Sequence, residues 1–340
     1  MKTLYTTKRN IPSTKIPSRA APVAVIGELN VDLLVTGLTA VPQLGHEILA
    51  ATFETVLGSA SAIFASGVAR LGHPVNFHSK VGDDDFGRFC LRALRERGIL
   101  TGKIAVSGAS RTGVTIALST ASDRALVTFL GAIAELRYED LPQDALDGSA
   151  HLHLTSYFLQ HQLRASFARL FRAARHRGMT TSFDPNTDPS KSWTAEIWDV
   201  IKETEMLFIN ESEALALTRK NSVRSAALHL AARVPCAVIK LGAQGAIGAA
   251  GKEIVRVPAF PISPLDTTGA GDSFAAGFVH AHLSGKDLHD CLVAGNACGA
   301  LSAAKAGGTA GQPTQAELSA FIAKHRGGAI DETTRKRKKH

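Results

Sequence analysis

A short glycine-rich segment between two aspartates is the part of the sequence that points most directly to catalysis. Residues 266–272 read Asp-Thr-Thr-Gly-Ala-Gly-Asp, and an apolar, helix-compatible run from Phe274 to Leu283 follows. A turn of small residues that opens a helix leaves backbone N–H groups unpaired at the positive end of the helix dipole. Such a turn can bind a phosphoryl group whose charge grows during transfer. Asp272, in the first turn of that helix, is placed to accept a proton from an acceptor hydroxyl.

The catalytic interpretation of this segment has a plain alternative. A Gly-Ala-Gly sequence before a helix is commonly only a capping turn. Here, however, Asp266 and Asp272 bracket the glycines at a spacing of six residues. Two carboxylates around a phosphate-binding turn favour catalysis over capping alone.

Further polar residues follow the ends of short apolar runs along the chain. Between these runs lie amphipathic stretches that predict helices, such as Gln162–Arg177 and Ser222–Ala232. Alternation of strands and helices predicts a mostly parallel sheet with helices on both faces, and ligands bind beyond the carboxyl ends of such strands. The predicted strands are Val23–Ile26, His151–Leu154, Thr180–Phe183, Met206–Ile209 and Ala237–Leu241.

Two segments break this alternation and predict a smaller, separate sheet. Val31–Val56 and Val114–Leu130 are rich in Val, Thr, Leu and Phe and have no long helical period. We expect antiparallel strands within about residues 31–56 and 112–131, laid over one edge of the main domain as a lid. The alternative is that they are ordinary edge strands of the main sheet.

The net charge of +8 resides at the two ends of the chain. Residues 1–20 carry +5 and residues 331–340 carry +3, so the remainder is formally neutral. We predict disordered basic tails at 1–20 and 326–340 around one domain at 21–325. A neutral body has no electrostatic footprint for nucleic acid, and no nucleic-acid partner is expected. No apolar run approaches the roughly 20 residues of a membrane-spanning helix.

The four cysteines indicate the compartment. Their positions, 90, 236, 291 and 298, form neither a disulfide framework nor a zinc-ligand spacing. A reducing environment fits this pattern best, so we expect a cytoplasmic protein. An acid-free N-terminus leaves an organelle transit peptide as the weaker alternative.

With its Asp-Thr-Thr-Gly-Ala-Gly-Asp segment, the sequence resembles the PfkB/ribokinase family of carbohydrate kinases over about residues 22–320. The resemblance implies an α/β ribokinase-like fold with a small β-strand lid, and ATP-dependent phosphorylation of a sugar hydroxyl with ATP and Mg²⁺. It implies that Asp272 is the catalytic base and that Gly269, Ala270 and Gly271 form the anion hole. Asp266 and Thr268 would belong to a monovalent-cation site, which K⁺ would fill.

Other segments match the nucleotide side of the family. Asn210-Glu211-Ser212-Glu213 resembles an N-x-x-E motif, in which Glu213 would hold Mg²⁺ through water. The same residues could cap a helix, and both roles are compatible. No Walker A sequence is present, so a P-loop ATPase is not supported. The resemblance assigns nucleotide binding to Asn186, Asn210, Lys240, Gly242, Gly245 and Asn296.

The substrate side both matches the family and departs from it. Asn30 and Asp32 follow the first predicted strand and would bind sugar hydroxyls, which carboxylates recognise well. The usual G-G-x-x-x-N element is here Gly58-Ser59-Ala60-Ser61-Ala62-Ile63. Gly58 and Ser59 are the remaining substrate-binding candidates, and Ile63 makes that wall more apolar. Transfer chemistry should survive these changes, whereas the named sugar cannot be assigned.

Several functions remain open from the sequence alone. The leading one is a ribokinase- or fructokinase-like sugar kinase. A nucleoside kinase of the same family is the alternative enzyme, and a stacked aromatic residue such as Phe64 or Phe129 would support it. A non-catalytic sugar- or nucleotide-binding regulator would lack the base or the glycine loop. A homodimer through the lid strands is expected from the family and from the unpaired edges of a small sheet.

Overall fold

The computed structural model describes residues 22–121 and 123–325. The predicted basic tails at 1–20 and 326–340 lie outside the described residues. Within them, the strands are β1 Val23–Ile26, β2 Asn30–Leu38, β3 Thr52–Leu57, β4 Val75–His78, β5 Lys80–Gly82, β6 Ala105–Ser107, β7 Gly113–Thr120, β8 Arg124–Phe129, β9 His151–Thr155, β10 Thr180–Asp184, β11 Met206–Asn210, β12 Cys236–Lys240, β13 Ala246–Ala250 and β14 Glu253–Val257.

The helices alternate with these strands through most of the chain. They are α1 Ala60–Arg70, α2 Asp85–Glu96, α3 Phe167–His176, α4 Ile197–Ile201, α5 Glu211–Thr218, α6 Val223–Ala231, α7 Ala270–Leu283 and α8 Leu288–Ala303. A final helix runs over residues 315–325. Among the helices of the described ranges, none has both the length and the apolar character needed to span a bilayer.

The main sheet has eight strands in the order β14-β13-β12-β11-β10-β9-β1-β4. From β12 to β4 all neighbours are parallel, and β13 and β14 add an antiparallel edge. Val23 and Val25 belong to one buried cluster, while Ala24 and Ile26 belong to a second on the other face. This alternation follows from the period of two along a strand. The predicted mostly parallel sheet, covered on both faces, is therefore confirmed.

A second sheet of four strands, in the order β3-β2-β7-β8, is separate from the first, and we call it the lid. Its outer pairs are antiparallel as expected, but the central pair β2/β7 is parallel. The prediction of purely antiparallel strands was therefore wrong. The chain between β3 and β7 passes through α1, β4 and α2 of the main domain, and such a long crossover can return in the same direction.

Buried histidines are an unusual feature of the sheet. On β9, His151 and His153 both bond to Ser182 Oγ, each at 2.7 Å. The His153 ring also stacks on Phe64 with centroids 3.6 Å apart. Burial lowers the pKa of His153 to about 3, so the neutral imidazole is the native form.

We predict that these histidines make the protein labile to acid. Burial lowers the pKa of His78 and of His282 to about 4, whereas the unfolded side chains titrate near 6.5. The contribution of these neutral histidines to the free energy of unfolding is complete above pH 6.5. It is lost as the pH falls towards 4, because only the unfolded chain takes up protons in that range. Each group contributes up to about 1.4 kcal/mol per pH unit in that interval.

Denaturant unfolding between pH 7.5 and pH 5 measures this effect. His153→Gln should reduce the slope of unfolding free energy against pH by about 1 kcal/mol per unit. His176→Gln is the matched control, because His176 is exposed. Equal slopes for the His153 variant and the unaltered protein would refute the prediction.

Candidate active site

Polar side chains converge where the parallel strands of the main sheet end. Glu28 follows β1, Asp184 ends β10, Asn210 ends β11 and Lys240 ends β12. These residues therefore lie together at the carboxyl edge of the parallel sheet, where ligands bind in folds of this kind. The segment Asp266–Asp272, which we call the glycine turn, leads into α7 beside them.

The glycine turn is shaped by close packing around Gly269. This residue caps α7 in the left-handed conformation, with φ 68°. A Cβ atom here would lie 2.7 Å from the Gly308 Cα and 2.9 Å from the Ile63 Cγ2, so no side chain fits. Ala270 N–H donates to Thr267 O at 3.2 Å, which closes the turn. The first turn of α7 then presents backbone N–H groups that have no partner inside the helix.

Asp272 lies in that first turn and has the properties of a base. Burial raises its pKa to about 7, the nearby Asp184 adds to the rise, and Lys240 opposes it. A base whose pKa lies near neutral pH is well suited to accept a proton during catalysis. The structure thus places the predicted base next to the predicted anion hole.

Lys240 links the acid groups of the site. Its Nζ donates to Asp184 Oδ2 at 2.5 Å. The same Nζ lies 3.1 Å from the place that a Cβ on Gly271 would occupy, so the ammonium group touches the glycine turn. Despite burial, which lowers the pKa of a lysine, Asp184, Glu213 and Asp272 raise the pKa of Lys240 above its ordinary value. A permanent positive charge therefore lies beside the base.

Asn210 and Glu213 form the capping box that was one of two predicted roles. Asn210 Oδ1 accepts the Glu213 N–H at 2.9 Å, and Glu213 Oε2 accepts the Asn210 N–H at 3.0 Å. Thr187 Oγ1 donates to the other Glu213 oxygen at 2.7 Å. Burial raises the pKa of Glu213, and the charge of Asp184 raises it further. Glu213 and Asp184 together form an oxygen-rich, electronegative part of the site, which fits a hydrated Mg²⁺ ion.

The substrate-side candidates Asn30 and Asp32, on lid strand β2, lie together with Gly58, which directly follows lid strand β3. Asn30 Nδ2 donates to Asp32 Oδ1 at 2.9 Å and to Thr115 Oγ1 at 3.3 Å. A Cβ on Gly58 would come within 2.1 Å of Asp32 Oδ1, so glycine is required there. Burial raises the pKa of Asp32 to about 6, against the bond from Asn30 and the charge of Arg124.

Ser59 and Ile63, where the sequence departs from the family pattern, serve the chain itself. Ser59 adopts φ 74° at the N-terminus of α1, donates to Glu28 O at 2.5 Å and accepts the Ala62 N–H at 3.1 Å. Ile63 is 3% exposed and packs behind Gly269 and Gly308. Ile63 therefore supports the glycine turn from behind, and a sugar contact from Ser59 stays a prediction.

The nucleotide-side candidates are more spread out. Asn186 Nδ2 donates to Ser156 Oγ at 2.9 Å, close to Asp184. Gly242 and Gly245 lie in the turn after β12. Asn296 is buried and donates to Val257 O and Pro258 O, both at 3.1 Å. Its amide group thus holds the loop after β14, and an adenine contact from it stays a prediction.

Two charged residues of the site were missed from the sequence. Glu28, 3% exposed, accepts bonds from Ser61, Ser156 and Gln160 and so joins β1, α1 and the loop after β9. Its place directly after a predicted strand was a usable signal. Arg124, on β8, donates through Nη1 to Thr268 Oγ1 at 2.7 Å. No local pattern marks it, since Thr268 is 144 residues away.

Asp266 and Thr268, the predicted monovalent-cation pair, are adjacent at the start of the glycine turn. The Asp266 carboxylate accepts the Thr268 N–H at 2.8 Å and the Gly307 N–H at 2.9 Å. Arg124 Nη1 lies 3.9 Å from Asp266 Oδ1. Both carboxylate oxygens of Asp266 thus accept N–H groups, and the positive charge beside them is the guanidinium group of Arg124.

The chain is similar to several known proteins over most of its length. A family model described as pfkB family carbohydrate kinase matches residues 20–315. The 2-dehydro-3-deoxygluconokinase of Bacillus subtilis is 29% identical over 294 residues, which cover 83% of this chain and 90% of that protein. The ribokinase of the same organism is 29% identical over 302 residues, covering 88% and 99%. A structure described as ribokinase II from E. coli, in complex with ATP and Mg²⁺, superposes with a TM-score of 0.80 at 26% identity, covering 90% and 100%.

Proposed function

The chain belongs to the PfkB family of carbohydrate kinases, and from this premise we propose that it transfers the γ-phosphoryl group of ATP to a hydroxyl group of a small sugar. As a family member it is an ATP-dependent phosphotransferase. The main support for transfer to a sugar hydroxyl is that Asp272, the glycine turn and Lys240 lie next to one another. Phosphoryl transfer needs positioning and charge stabilisation more than covalent chemistry, and these groups provide both.

In the proposed reaction, Asp272 accepts the proton of the acceptor hydroxyl as its oxygen attacks the γ-phosphorus. The bond from that phosphorus to the bridging oxygen breaks, and ADP leaves with the electron pair. Backbone N–H groups at the start of α7 bind the oxygens of the transferring phosphoryl group, and Lys240 adds positive charge beside the glycine turn. Bound Mg²⁺ would neutralise charge between the phosphates, held through water near Glu213.

A sugar acceptor is supported by the polar inner face of the lid. Asn30, Asp32 and Thr115 offer hydroxyl-binding groups in one connected cluster. The aromatic residues that would have supported a nucleoside acceptor face elsewhere. Phe64 is fully buried against His153, and Phe129 lies opposite Val114, on the other face of the lid from Thr115. Neither Phe64 nor Phe129 therefore supports the nucleoside kinase as a base-stacking residue.

The function is tested by ADP release from ATP and Mg²⁺ across pentoses, hexoses, keto-acid sugars and nucleosides. Turnover on one sugar class, with none on nucleosides, is the expected result. Turnover on nucleosides alone would replace the proposal with the nucleoside kinase. No turnover on any acceptor, with sugars still raising the melting temperature, would favour the binding regulator.

Several other expectations stay proposals. We propose a cytoplasmic location, because the cysteine pattern fits a reducing environment, and no nucleic-acid partner, because the chain between the two basic ends is formally neutral. A K⁺ ion beside Asp266 and Thr268 also stays a proposal, as the alternative to a positive side chain at this place. K⁺ dependence of the unaltered enzyme in the cation series given below would support the ion.

We further propose that two copies associate through the outer face of the lid. In register across the sheet, Phe53, Val35 and Leu118 form one apolar row, and Leu33, Ile116 and Val127 form the next. Phe53 and Val127 are more than half exposed. An exposed apolar sheet face of this kind commonly marks an interface.

The dimer prediction is tested by Val127→Glu, because a buried unpaired carboxylate opposes association. We expect a dimer for the unaltered protein and a monomer for the variant in light scattering coupled to size-exclusion chromatography. Leu100→Glu is the matched control, since Leu100 is exposed outside the lid. A monomeric unaltered protein at micromolar concentration would contradict the prediction.

A further inference from the structure

Arg124 makes a contact between the lid and the glycine turn. It begins β8, and its guanidinium group reaches Thr268 Oγ1 at 2.7 Å and Asp266 Oδ1 at 3.9 Å. Arg124 pairs with Ser119, and Thr128 pairs with Thr115, so the period of two puts Arg124 on the lid face that carries Thr115 and Asp32. The inner face of the lid therefore carries the positive side chain of Arg124 as well as the negative side chain of Asp32.

The negative charge of Asp266 explains what the contact with Arg124 does. The Asp266 carboxylate accepts the Thr268 and Gly307 N–H groups and faces the guanidinium group of Arg124. This carboxylate lies three residues before Gly269, the cap of α7. A negative charge so near the anion hole repels the phosphoryl group that the hole must bind. A cation next to Asp266 removes this repulsion.

We propose that Arg124 is a positioning residue that supplies this positive charge from the lid. When the lid covers the cleft, the guanidinium group contacts Thr268, neutralises Asp266 and fixes the start of the glycine turn. When the lid lifts, the charge leaves with β8. Transfer is thereby tied to a covered, substrate-filled cleft, which limits transfer of the phosphoryl group to water. The inference rests on the proposed function and adds a residue to it.

Kinetics of Arg124→Ala, Arg124→Lys and the control Arg111→Ala test the inference on the full chain. Arg111 is exposed just before β7, and its loss changes the net charge equally. We expect Arg124→Ala to lower kcat by about 10²-fold with a change in the KM for ATP of no more than about threefold. Arg124→Lys should retain roughly a tenth of kcat, because it keeps the charge but not the planar fork. Arg111→Ala should remain within about twofold of the unaltered enzyme.

Cations in solution supply a readout that a merely structural role would not move. Guanidinium chloride at tens of millimolar should restore activity to Arg124→Ala and not raise that of Arg111→Ala. At constant ionic strength, replacing choline by K⁺ should raise the melting temperature and kcat of Arg124→Ala while leaving both nearly unchanged in the unaltered enzyme.

The inference fails if Arg124→Ala matches Arg111→Ala in kcat. It also fails if guanidinium and K⁺ leave Arg124→Ala unchanged, or if the unaltered enzyme depends on K⁺ as strongly as the variant does. All these outcomes presuppose that the unaltered enzyme phosphorylates a sugar. Absence of that activity would instead refute the proposed function.

Discussion

Asp272→Asn should lower kcat by about 10²- to 10⁴-fold while the enzyme still binds ATP and sugar. Asparagine keeps the size and polarity of the side chain but cannot accept the proton of the acceptor hydroxyl. Coupled ADP release measures the loss, and calorimetric titration with sugar measures the retained binding. Asp199→Asn is the matched control, because Asp199 is exposed and lies away from the site. Undiminished kcat in the Asp272 variant would mean that another group is the base.

The same substitution should stabilise the fold at alkaline pH. The pKa of Asp272 is about 7 in the folded protein, against an ordinary value of 3.8. Its favourable contribution is present below pH 3.8 and is lost as the pH rises through 7, because the charged form is poorly solvated. Asparagine never carries that charge. The free energy of unfolding of the variant should therefore exceed that of the unaltered protein above pH 7 by at most about 4 kcal/mol, and the difference should shrink towards pH 4. Melting temperatures measured across this pH range check the sign.

Lys240→Met should be the second most damaging change for transfer, lowering kcat by roughly 10²- to 10³-fold. The variant removes the positive charge against Gly271 and the partner of Asp184. Because Lys240 lowers the pKa of Asp272, its loss should also move the acidic limb of kcat/KM to higher pH. A pH profile of the purified variant measures this displacement.

Loss of Lys240 also leaves Asp184 buried without its partner, which costs about 3–5 kcal/mol of stability. The double variant Lys240→Met with Asp184→Asn removes both charges and should recover most of the stability. It should not recover kcat. Lys202→Met, which removes an exposed lysine, controls for the change in net charge. A double variant that regained activity would show that Lys240 only balances Asp184.

The main sheet was predictable because its strands are short, buried and followed directly by polar residues. Met206–Ile209 and the Asn210 that follows, for example, predicted both β11 and its functional end. β13 and β14 were not predicted, since an alanine-rich strand and a half-exposed strand lack a clear period. The parallel pairing of β2 with β7 was also not accessible, because it depends on where the chain returns after α2 and not on the strands themselves.

The candidate site, like the fold, was predictable from the sequence only in part. Residues in a local motif, such as Asp272 and Glu213, could be named from spacing and from the family resemblance. The structure then added what spacing does not contain, namely which charges face each other. Lys240 was expected on the nucleotide side, and the structure adds that its Nζ lies beside Gly271 and Asp184. Arg124 reaches the site only through the fold of the lid.

Phosphorus NMR of the reaction of ATP, Mg²⁺ and the accepted sugar shows directly where the phosphoryl group goes. We expect a new phosphomonoester signal that grows in step with ADP for the unaltered enzyme and is absent for Asp272→Asn. ADP formed together with inorganic phosphate and no phosphomonoester would contradict it. So would a phosphomonoester formed equally fast by the variant.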